Sequence, residues 1–316
     1  MQVWRSLDEV APDQRSIVTV GNYDGVHRGH AHVLRVARKV ADQRPQRAEL
    51  VVVTFDPHPM AVLLPERAPV RLTDIDQRAG LLLAAGADKV LVLPFDRDFA
   101  GWSPEEFVRR VLVDALHAQA VVVGENFRFG AKAAGDVGAL RMLGDQHGFA
   151  VETLALDGGA RPWSSTAVRQ SLADGDVSGA AEILGRPHTV TGVVLEGDHR
   201  GRELGYPTAN VPTDGLTAVP ADGVYAGWLR RLDEFEARAL PAAISVGTNP
   251  TFDGVQRRVE SYVLDRDDLE LYDVRIEVAF VERLRGQVRF DAVDDLVRQM
   301  RDDVDRARAL LVETDR

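Results

Sequence analysis

Four strand-like runs, each separated from the next by a segment of helical spacing, constrain the first half of the chain most. They cover residues 17–20, 50–55, 89–93 and 120–123. Runs that are apolar throughout belong to strands buried on both faces, and alternation with helices makes their sheet parallel and doubly wound. Between the first two runs, Val33, Leu34, Ala37, Val40 and Ala41 recur at helical spacing over residues 31–41. Thr73 is placed as the cap of a helix running through 80–85, with Gly86 ending it. Ser103-Pro104-Glu105-Glu106 opens another helix, to about Leu116, with a cap, a proline at the first position and acids in the first turn. Residues 150–156 read as the last strand of this domain. A sheet of this kind holds its ligand outside the C-terminal ends of the strands. The informative loops are therefore those after Val20, Phe55 and Val123.

All three loops are unusual. The first is Gly21-Asn22-Tyr23-Asp24-Gly25-Val26-His27-Arg28-Gly29-His30. Its glycines allow close approach of a ligand to the backbone, and the helix it enters offers free N–H groups and a positive dipole end. His27 and His30 share a face of the first turn. Imidazoles there suit a nucleotide triphosphate, where they can stabilise charge on departing pyrophosphate. Neither of the two familiar nucleotide loops, GxGxxG and GxxxxGK[ST], is present. The second loop, Asp56-Pro57-His58-Pro59, is stiffened by two prolines, and the third is Gly124-Glu125-Asn126-Phe127-Arg128-Phe129-Gly130. Further on, Arg161-Pro162-Trp163-Ser164-Ser165-Thr166-Ala167-Val168-Arg169 combines hydroxyls that cap a helix with arginines able to hold phosphate oxygens.

After Gly185-Arg186-Pro187 the periodicity changes, which places the domain boundary between residues 184 and 185. Residues 189–195, 224–229, 242–246, 259–264 and 274–281 read as strands joined mostly by turns, giving an antiparallel sheet or small barrel. From Asp291 the chain is one amphipathic helix, with Val293, Leu296, Val297, Met300, Val304, Ala307 and Leu311 on one stripe. The dense stretch here is Gly197-Asp198-His199-Arg200-Gly201-Arg202-Glu203-Leu204-Gly205-Tyr206-Pro207-Thr208-Ala209-Asn210. It reads as a basic, glycine-rich loop meeting a turn that presents Thr208 and Asn210. Their oxygens are of the type Mg²⁺ accepts beside waters and phosphates. Gly247-Thr248-Asn249-Pro250-Thr251-Phe252 reads as a hairpin loop, and Glu260 falls on a strand.

Length and composition narrow the class. At roughly 150 residues per domain, 316 residues make two domains, and 45% hydrophobic content fills two cores. The absence of cysteine removes disulfides and thiolate metal sites, and fits a reducing cytoplasm. The opening Met1-Gln2-Val3-Trp4 precedes no apolar stretch of a signal peptide, and no apolar run is long enough to span a membrane. A net charge of −11 disfavours nucleic acid and anionic membranes as partners, so any phosphate site must be assembled locally. Association with further copies of the chain would be weak or transient.

The first loop resembles the HxGH motif of nucleotidyltransferases, and more narrowly the G-N-F-D-G-V-H-x-G-H form of bacterial FAD synthetases. Thr54-Phe55-Asp56-Pro57-His58-Pro59, the run 123–130 and Ser164–Arg169 extend the likeness. In the second half it is carried by Gly201–Asn210, Asp222-Gly223-Val224-Tyr225, Gly247–Phe252 and Glu260. The whole chain resembles the bacterial bifunctional riboflavin kinase/FAD synthetase family. The resemblance implies a Rossmann-like nucleotidyltransferase domain over 1–184, then a six-stranded antiparallel β-barrel kinase domain over 185–316 with a C-terminal helix. It implies that riboflavin is phosphorylated by ATP to FMN in the second domain, and that FMN is adenylylated by a second ATP to FAD in the first, with Mg²⁺ as cofactor.

The roles carried over are these. His27 and His30 would act on the ATP phosphates as catalytic groups. Gly21, Asn22, Asp24, Gly25, His58, Asn126, Arg161, Ser164, Thr166 and Arg169 would bind ATP or FMN. In the kinase, Gly197, Arg200, Gly201, Arg202, Gly205, Pro207 and Asn249 would bind ATP or riboflavin. Thr208 and Asn210 would place Mg²⁺, and Glu260 would take the proton of the ribityl 5′-hydroxyl. The chain departs from the family at Tyr23 for Phe, Lys132 for Arg, Trp163 for a smaller residue and Asp273 for Gly. Two other readings compete: an adenylyltransferase whose barrel only binds flavin, and a non-catalytic flavin sensor. A cytidylyl- or pantetheine-type transferase shares HxGH but leaves 188–316 unexplained.

Overall fold

In the computed structural model the chain is described over residues 2–44, 48–155, 163–196, 205–234, 236–251 and 254–314. By internal contacts it divides into two compact units, Met1–Pro69 with Asp74–Trp163, and Val70–Thr73 with Ser164–Arg316.

The first unit is built on a parallel sheet. Its strands are β1 (Gln2–Trp4), β2 (Ser16–Val20), β3 (Glu49–Asp56), β4 (Lys89–Pro94), β5 (Ala118–Gly124) and β6 (Ala150–Leu154). They lie in the order β1-β4-β3-β2-β5-β6, so the winding reverses between β2 and β5. The apolar runs are buried as expected: Ile17, Val18 and each residue from Leu50 to Val53 have no exposed surface. One face of the sheet is covered by α1 (Arg28–Asp42), through Val33, Leu34, Ala37 and Ala41, and by a helix over Ile75–Ala84, through Ala79 and Leu82. Before that helix comes the short α2 (Pro59–Leu63), so it is α3; α4 (Arg97–Ala100) and α5 (Pro104–Phe107) follow β4. The opposite face carries Phe107, Val111, Leu112 and Leu140, the last from α6 (Val137–His147).

Two local expectations change. Asp74, not Thr73, caps α3: its Oδ1 accepts the Gln77 N–H at 2.7 Å, while Thr73 is turned into the protein at 3% exposure. The helix capped by Ser103 does not stay α-helical to Leu116. From Val108 to Ala115 it widens into a π-helix, which ends with the Leu116 N–H on the Val111 carbonyl, five residues back, at 3.1 Å.

The second unit begins with α7 (Ser165–Ala173) and α8 (Val177–Leu184). These helices were expected with the first domain, but their contacts lie with the antiparallel sheet. Ser178 Oγ donates to Glu282 at 2.9 Å, Arg283 reaches the Asp174 carbonyl at 3.3 Å, and the Ala221 N–H reaches Leu172 at 2.9 Å. The sheet comprises β7 (His188–Val193), β8 (Thr208–Pro212), β9 (Gly223–Arg231), β10 (Leu240–Thr251), β11 (Gly254–Val263) and β12 (Arg275–Arg285), in the order β7-β12-β9-β10-β11-β8. It curls until its outer strands meet. The Leu195 N–H donates to the Asn210 carbonyl at 2.9 Å, and a Cβ on Gly192 would stand 2.3 Å from Val211 Cγ1. A glycine is what lets β7 approach β8 this closely. Residues 208–210, expected as a turn, are therefore strand, paired with β11 from Tyr262↔Thr208 to Arg258↔Pro212. Residues 247–251, expected as loop, are also strand, in a ladder that continues to Thr251↔Gly254.

Inside the curl, Tyr225, Leu229, Ile244, Val246, Val259, Ile276, Val278 and Phe280 are fully buried. Outside it, α9 (Val293–Thr314) lays Val304, Ala307 and Leu311 on Val224, Ala226 and Leu284. A buried ion pair ties that helix to β12. Arg285 Nε contacts both Asp303 oxygens at 3.0 Å and its NH2 reaches Oδ2 at 2.7 Å, with the Asp303 side chain 5% exposed. Among the described residues no helix is long and apolar enough to cross a membrane.

Removing one partner of a buried pair strands the other charge. We expect Asp303→Ala to cost about 3 kcal/mol in urea unfolding, and Asp303→Leu with Arg285→Met to cost less than that single change. A double variant that loses more than Asp303→Ala would show that the pair itself is strongly stabilising.

Candidate active sites

The strand order sets β3, β2 and β5 side by side and parallel, so the loops after them open at one edge of the sheet, at the point where the winding reverses. The loop after β2 is unusually constrained. Tyr23, Gly25 and Val26 have φ of +50°, +85° and +41°. For Tyr and Val the left-handed region is strained, so the surrounding structure must hold them there.

That loop delivers His27 as the N-cap of α1. The His30 N–H donates to His27 Nδ1 at 3.3 Å, and the His27 N–H donates to His30 Nδ1 at 3.3 Å. The rings stack with centroids 3.6 Å apart. Because both Nδ1 atoms accept, the ring proton of each neutral imidazole sits on Nε2. The pair therefore presents N–H donors from the positive end of a helix. Gly29 between them has a steric cause: a Cβ there would lie 3.0 Å from the His27 ring and 3.2 Å from the Trp163 carbonyl.

Neighbouring strands tie the loop down. The Gly21 N–H donates to Val53, Thr54 Oγ1 donates to the Asn22 carbonyl at 3.0 Å, and the Asn22 amide lies 3.3 Å from His58 Nε2. His58 in turn caps α2, its Nδ1 accepting from Met60 at 3.1 Å. Tyr23 is buried; its hydroxyl is 2.5 Å from Thr19 Oγ1 and its ring stands edge-on to His30 at 4.9 Å. Burial pushes the Tyr23 pKa up, against the smaller opposing effect of the Thr19 bond, so the phenol stays protonated. Asp24 is 3% exposed and faces Arg78 of α3, with Arg78 NH2 3.6 Å from Asp24 Oδ1.

Sequence reasoning missed Arg78. The available signal was an arginine three residues after Ile75 and four before Leu82, on the stripe that α3 buries. Asn126 is exposed in the turn after β5. Ser164, Thr166 and Arg169 belong to the second compact unit. There Ser164 Oγ caps α7 by accepting from Ala167 at 3.1 Å, Thr166 is exposed, and Arg169 Nε donates to the Val70 carbonyl at 2.7 Å. Arg161, Gly197, Arg200, Gly201 and Arg202 lie outside the described residues.

In the second unit the expected residues converge. Asn210 on β8 is the direct partner of Glu260 on β11, which is the direct partner of Ser245 on β10. Cross-strand partners share a face, and Thr208, two residues from Asn210, shares it too. Pro207, Thr208, Asn210, Ser245 and Glu260 all line one cavity of about 420 Å³, which extends to Tyr262, Gln287, Met300 and the Arg285–Asp303 pair. Asn210 Nδ2 reaches back to the Thr208 carbonyl at 3.4 Å, and Gln287 Nε2 donates to Ser245 Oγ at 3.2 Å. The cavity lining thus combines a carboxylate, an amide and hydroxyls with apolar side chains that include Leu296 and Val304 of α9. Gly205 precedes β8 with φ +84°, and Asn249 lies in β10 opposite Gln256.

Comparison with known proteins covers both units. Residues 10–166 match the FAD synthetase family and 184–311 match the riboflavin kinase family. A bifunctional riboflavin kinase/FMN adenylyltransferase of Pseudomonas fluorescens is 39% identical over 315 residues, covering 98% of each chain. One from Escherichia coli K12 is 37% identical over 300 residues, covering 94% of this chain and 93% of its own. Among solved structures, a Streptococcus pneumoniae protein described as a macrolide-efflux protein has a TM-score of 0.84 at 31% identity, covering 97% of this chain and 98% of that one. With both halves matched in order and nearly the full length aligned, the chain belongs to the bifunctional riboflavin kinase/FMN adenylyltransferase family.

Proposed function

We propose that the chain converts riboflavin to FMN at the Glu260 cavity and FMN to FAD at the His27–His30 loop, using one ATP for each step. The observation that carries this reading is the convergence of Thr208, Asn210 and Glu260 on one cavity of the second unit. A chain with adenylyl transfer alone, or a sensor, has no use for a carboxylate beside two oxygen ligands. Family membership supports both activities.

In the kinase step, Glu260 accepts the proton of the ribityl 5′-hydroxyl as that oxygen bonds to the γ-phosphorus, and the bond from that phosphorus to the β-bridging oxygen breaks to release ADP. The apolar side chains of the lining suit the flavin ring, and its polar groups suit the ribityl chain and phosphates. Thr208 and Asn210 fit Mg²⁺. They are neutral oxygen donors, and no group of three or more His, Cys, Asp or Glu able to hold a metal occurs among the described residues, so substrate phosphates would complete the shell. Bound there, the ion would neutralise phosphate charge.

In the adenylyl step, an FMN phosphate oxygen bonds to the α-phosphorus of ATP and pyrophosphate leaves. The Nε2–H donors of His27 and His30 stabilise the charge that develops on the phosphates. Asn126 and His58 would contact nucleotide or FMN from the adjacent loops, and Ser164, Thr166 and Arg169 are candidates for phosphate contacts. With ATP as substrate and no cysteine in the sequence, the setting we propose is the cytoplasm.

Riboflavin, ATP and Mg²⁺ incubated with the purified protein should give FMN and then FAD when the flavins are separated over time. His30→Ala should lower FAD formation by about 10²–10³-fold and leave FMN formation intact. Glu260→Gln should abolish FMN formation from riboflavin yet still convert supplied FMN to FAD. An equal loss of both activities in either variant would sink the two-site reading.

A further inference from the structure

The first unit buries a guanidinium that neither half-reaction uses. Arg78 and Asp24 side chains are each 3% exposed, 3.6 Å apart, and Arg78 NH1 donates to the Phe55 carbonyl at 3.2 Å. We propose that Arg78 is a positioning residue for adenylyl transfer, holding the loops after β2 and β3 in one fixed relation. The proposal rests on the His27–His30 reading of the adenylyl site.

Two of its partners lie on those segments: Asp24 in the middle of the loop after β2, and Phe55 at the end of β3, where the second loop begins. Asp24 precedes His27 by three residues, and between them Gly25 and Val26 hold φ of +85° and +41°. Such backbone persists only when contacts outside the loop over-determine it. Asp24 is the charged side chain of that loop that is buried beneath it. Phe55 stands one residue before Asp56-Pro57-His58, and His58 faces Asn22 across 3.3 Å. One planar fork thus reaches a carboxylate on the first loop and a carbonyl at the root of the second. A guanidinium can do this because its five donors diverge in a plane.

Stability alone gives a weak reason for the arrangement. Both side chains are almost wholly withdrawn from water, and burying two charges costs desolvation that packed hydrocarbon would avoid. What hydrocarbon would not supply is direction. It would leave the reciprocal histidine cap attached to a strained loop whose ties at Gly21, Asn22 and Tyr23 come before the left-handed residues Gly25 and Val26. Small displacements of a positioning element are expensive: a shift near 1 Å can cost about 10²-fold in rate.

The test uses the full chain with Arg78→Gln and Arg78→Lys. FAD formation is measured from supplied FMN and ATP, and riboflavin phosphorylation in the same preparation reports the other site. We expect Arg78→Gln to lower kcat for FAD formation by about 10²-fold, with KM for ATP changed less than about threefold and phosphorylation unchanged. Arg78→Lys, which keeps the charge and loses the fork, should recover to within about tenfold of the unaltered protein. The loss should persist at 10 °C, about the temperature where mesophilic folds are most stable. A kcat loss under about tenfold in folded Arg78→Gln, or one that disappears on cooling, overturns the proposal in favour of a purely structural pair. If Arg78→Gln does not fold, Arg78→Lys decides: a kcat at least about threefold below the unaltered protein supports positioning, and a smaller loss overturns it. Failure of the unaltered protein to make FAD from FMN would instead overturn the function assigned to the loop.

Discussion

The reciprocal bond between His27 and His30 is the constraint on which the nucleotide half depends. Each ring gives its Nδ1 to the other residue's backbone N–H, so the helix cap and the orientation of both imidazoles are one structure. The cap satisfies two of the orphan N–H groups at the start of α1, which a phosphate would otherwise have to reach unaided. It also fixes which nitrogen carries the proton. The loop can be strained because it is stitched on several sides: Val53 and Thr54 from β3, Thr19 from β2, and Arg78 from α3. A parallel sheet brings those contacts together, since β2 and β3 end at the same edge.

The kinase half solves a different problem. A flavin ring needs a large apolar wall, while phosphoryl transfer needs a few oxygens held at fixed separation. The curled sheet separates these tasks by face. Residues pointing into the curl form a buried core around Tyr225 and Phe280, and the opposite face holds the row Asn210–Glu260–Ser245. Strand registry sets the spacing of that row, which varies little with side-chain motion. The apolar wall comes from α9, and the Arg285–Asp303 pair keeps that helix against the barrel at the edge of the cavity.

The legible parts of this molecule were those fixed by local chemistry. The largely apolar run at 17–20 and the continuous one at 50–53 read as buried strands, and Ser103-Pro104-Glu105-Glu106 could hardly be anything but a helix start. The His27–His30 motif was legible because its spacing matches a helical turn. Residues 208–210 read as a turn because Gly205 and Pro207 announce one, yet they belong to β8, where Ala209 and Val211 are buried while Thr208 and Asn210 face the cavity. The strand's partner, β11, lies far along the chain, so its pairing could not be seen locally. Residues 247–251 misled although their partner is adjacent in the chain: Gly, Asn and Pro read as loop, and the ladder to β11 overrides them. The widened turn of Val108–Ala115 has no composition signal, and Arg78 has no motif, because partners such as Asp24 and Phe55 come from other segments.

Tyr23 stands where the sequence resemblance leads one to expect phenylalanine. A phenylalanine would fill the same space against His30 with no hydroxyl to satisfy. Here the hydroxyl is buried, which alone would carry a desolvation penalty of about 1–3 kcal/mol. It avoids that penalty because Thr19, fully buried on β2, stands 2.5 Å away. The two polar groups are compatible as a pair, and removing either would leave the other without this bond inside the sheet. The bond runs from the strand that carries the loop to the ring that flanks His30. The substitution therefore adds a tie between scaffold and histidine, so the polar residue belongs to the positioning of the loop.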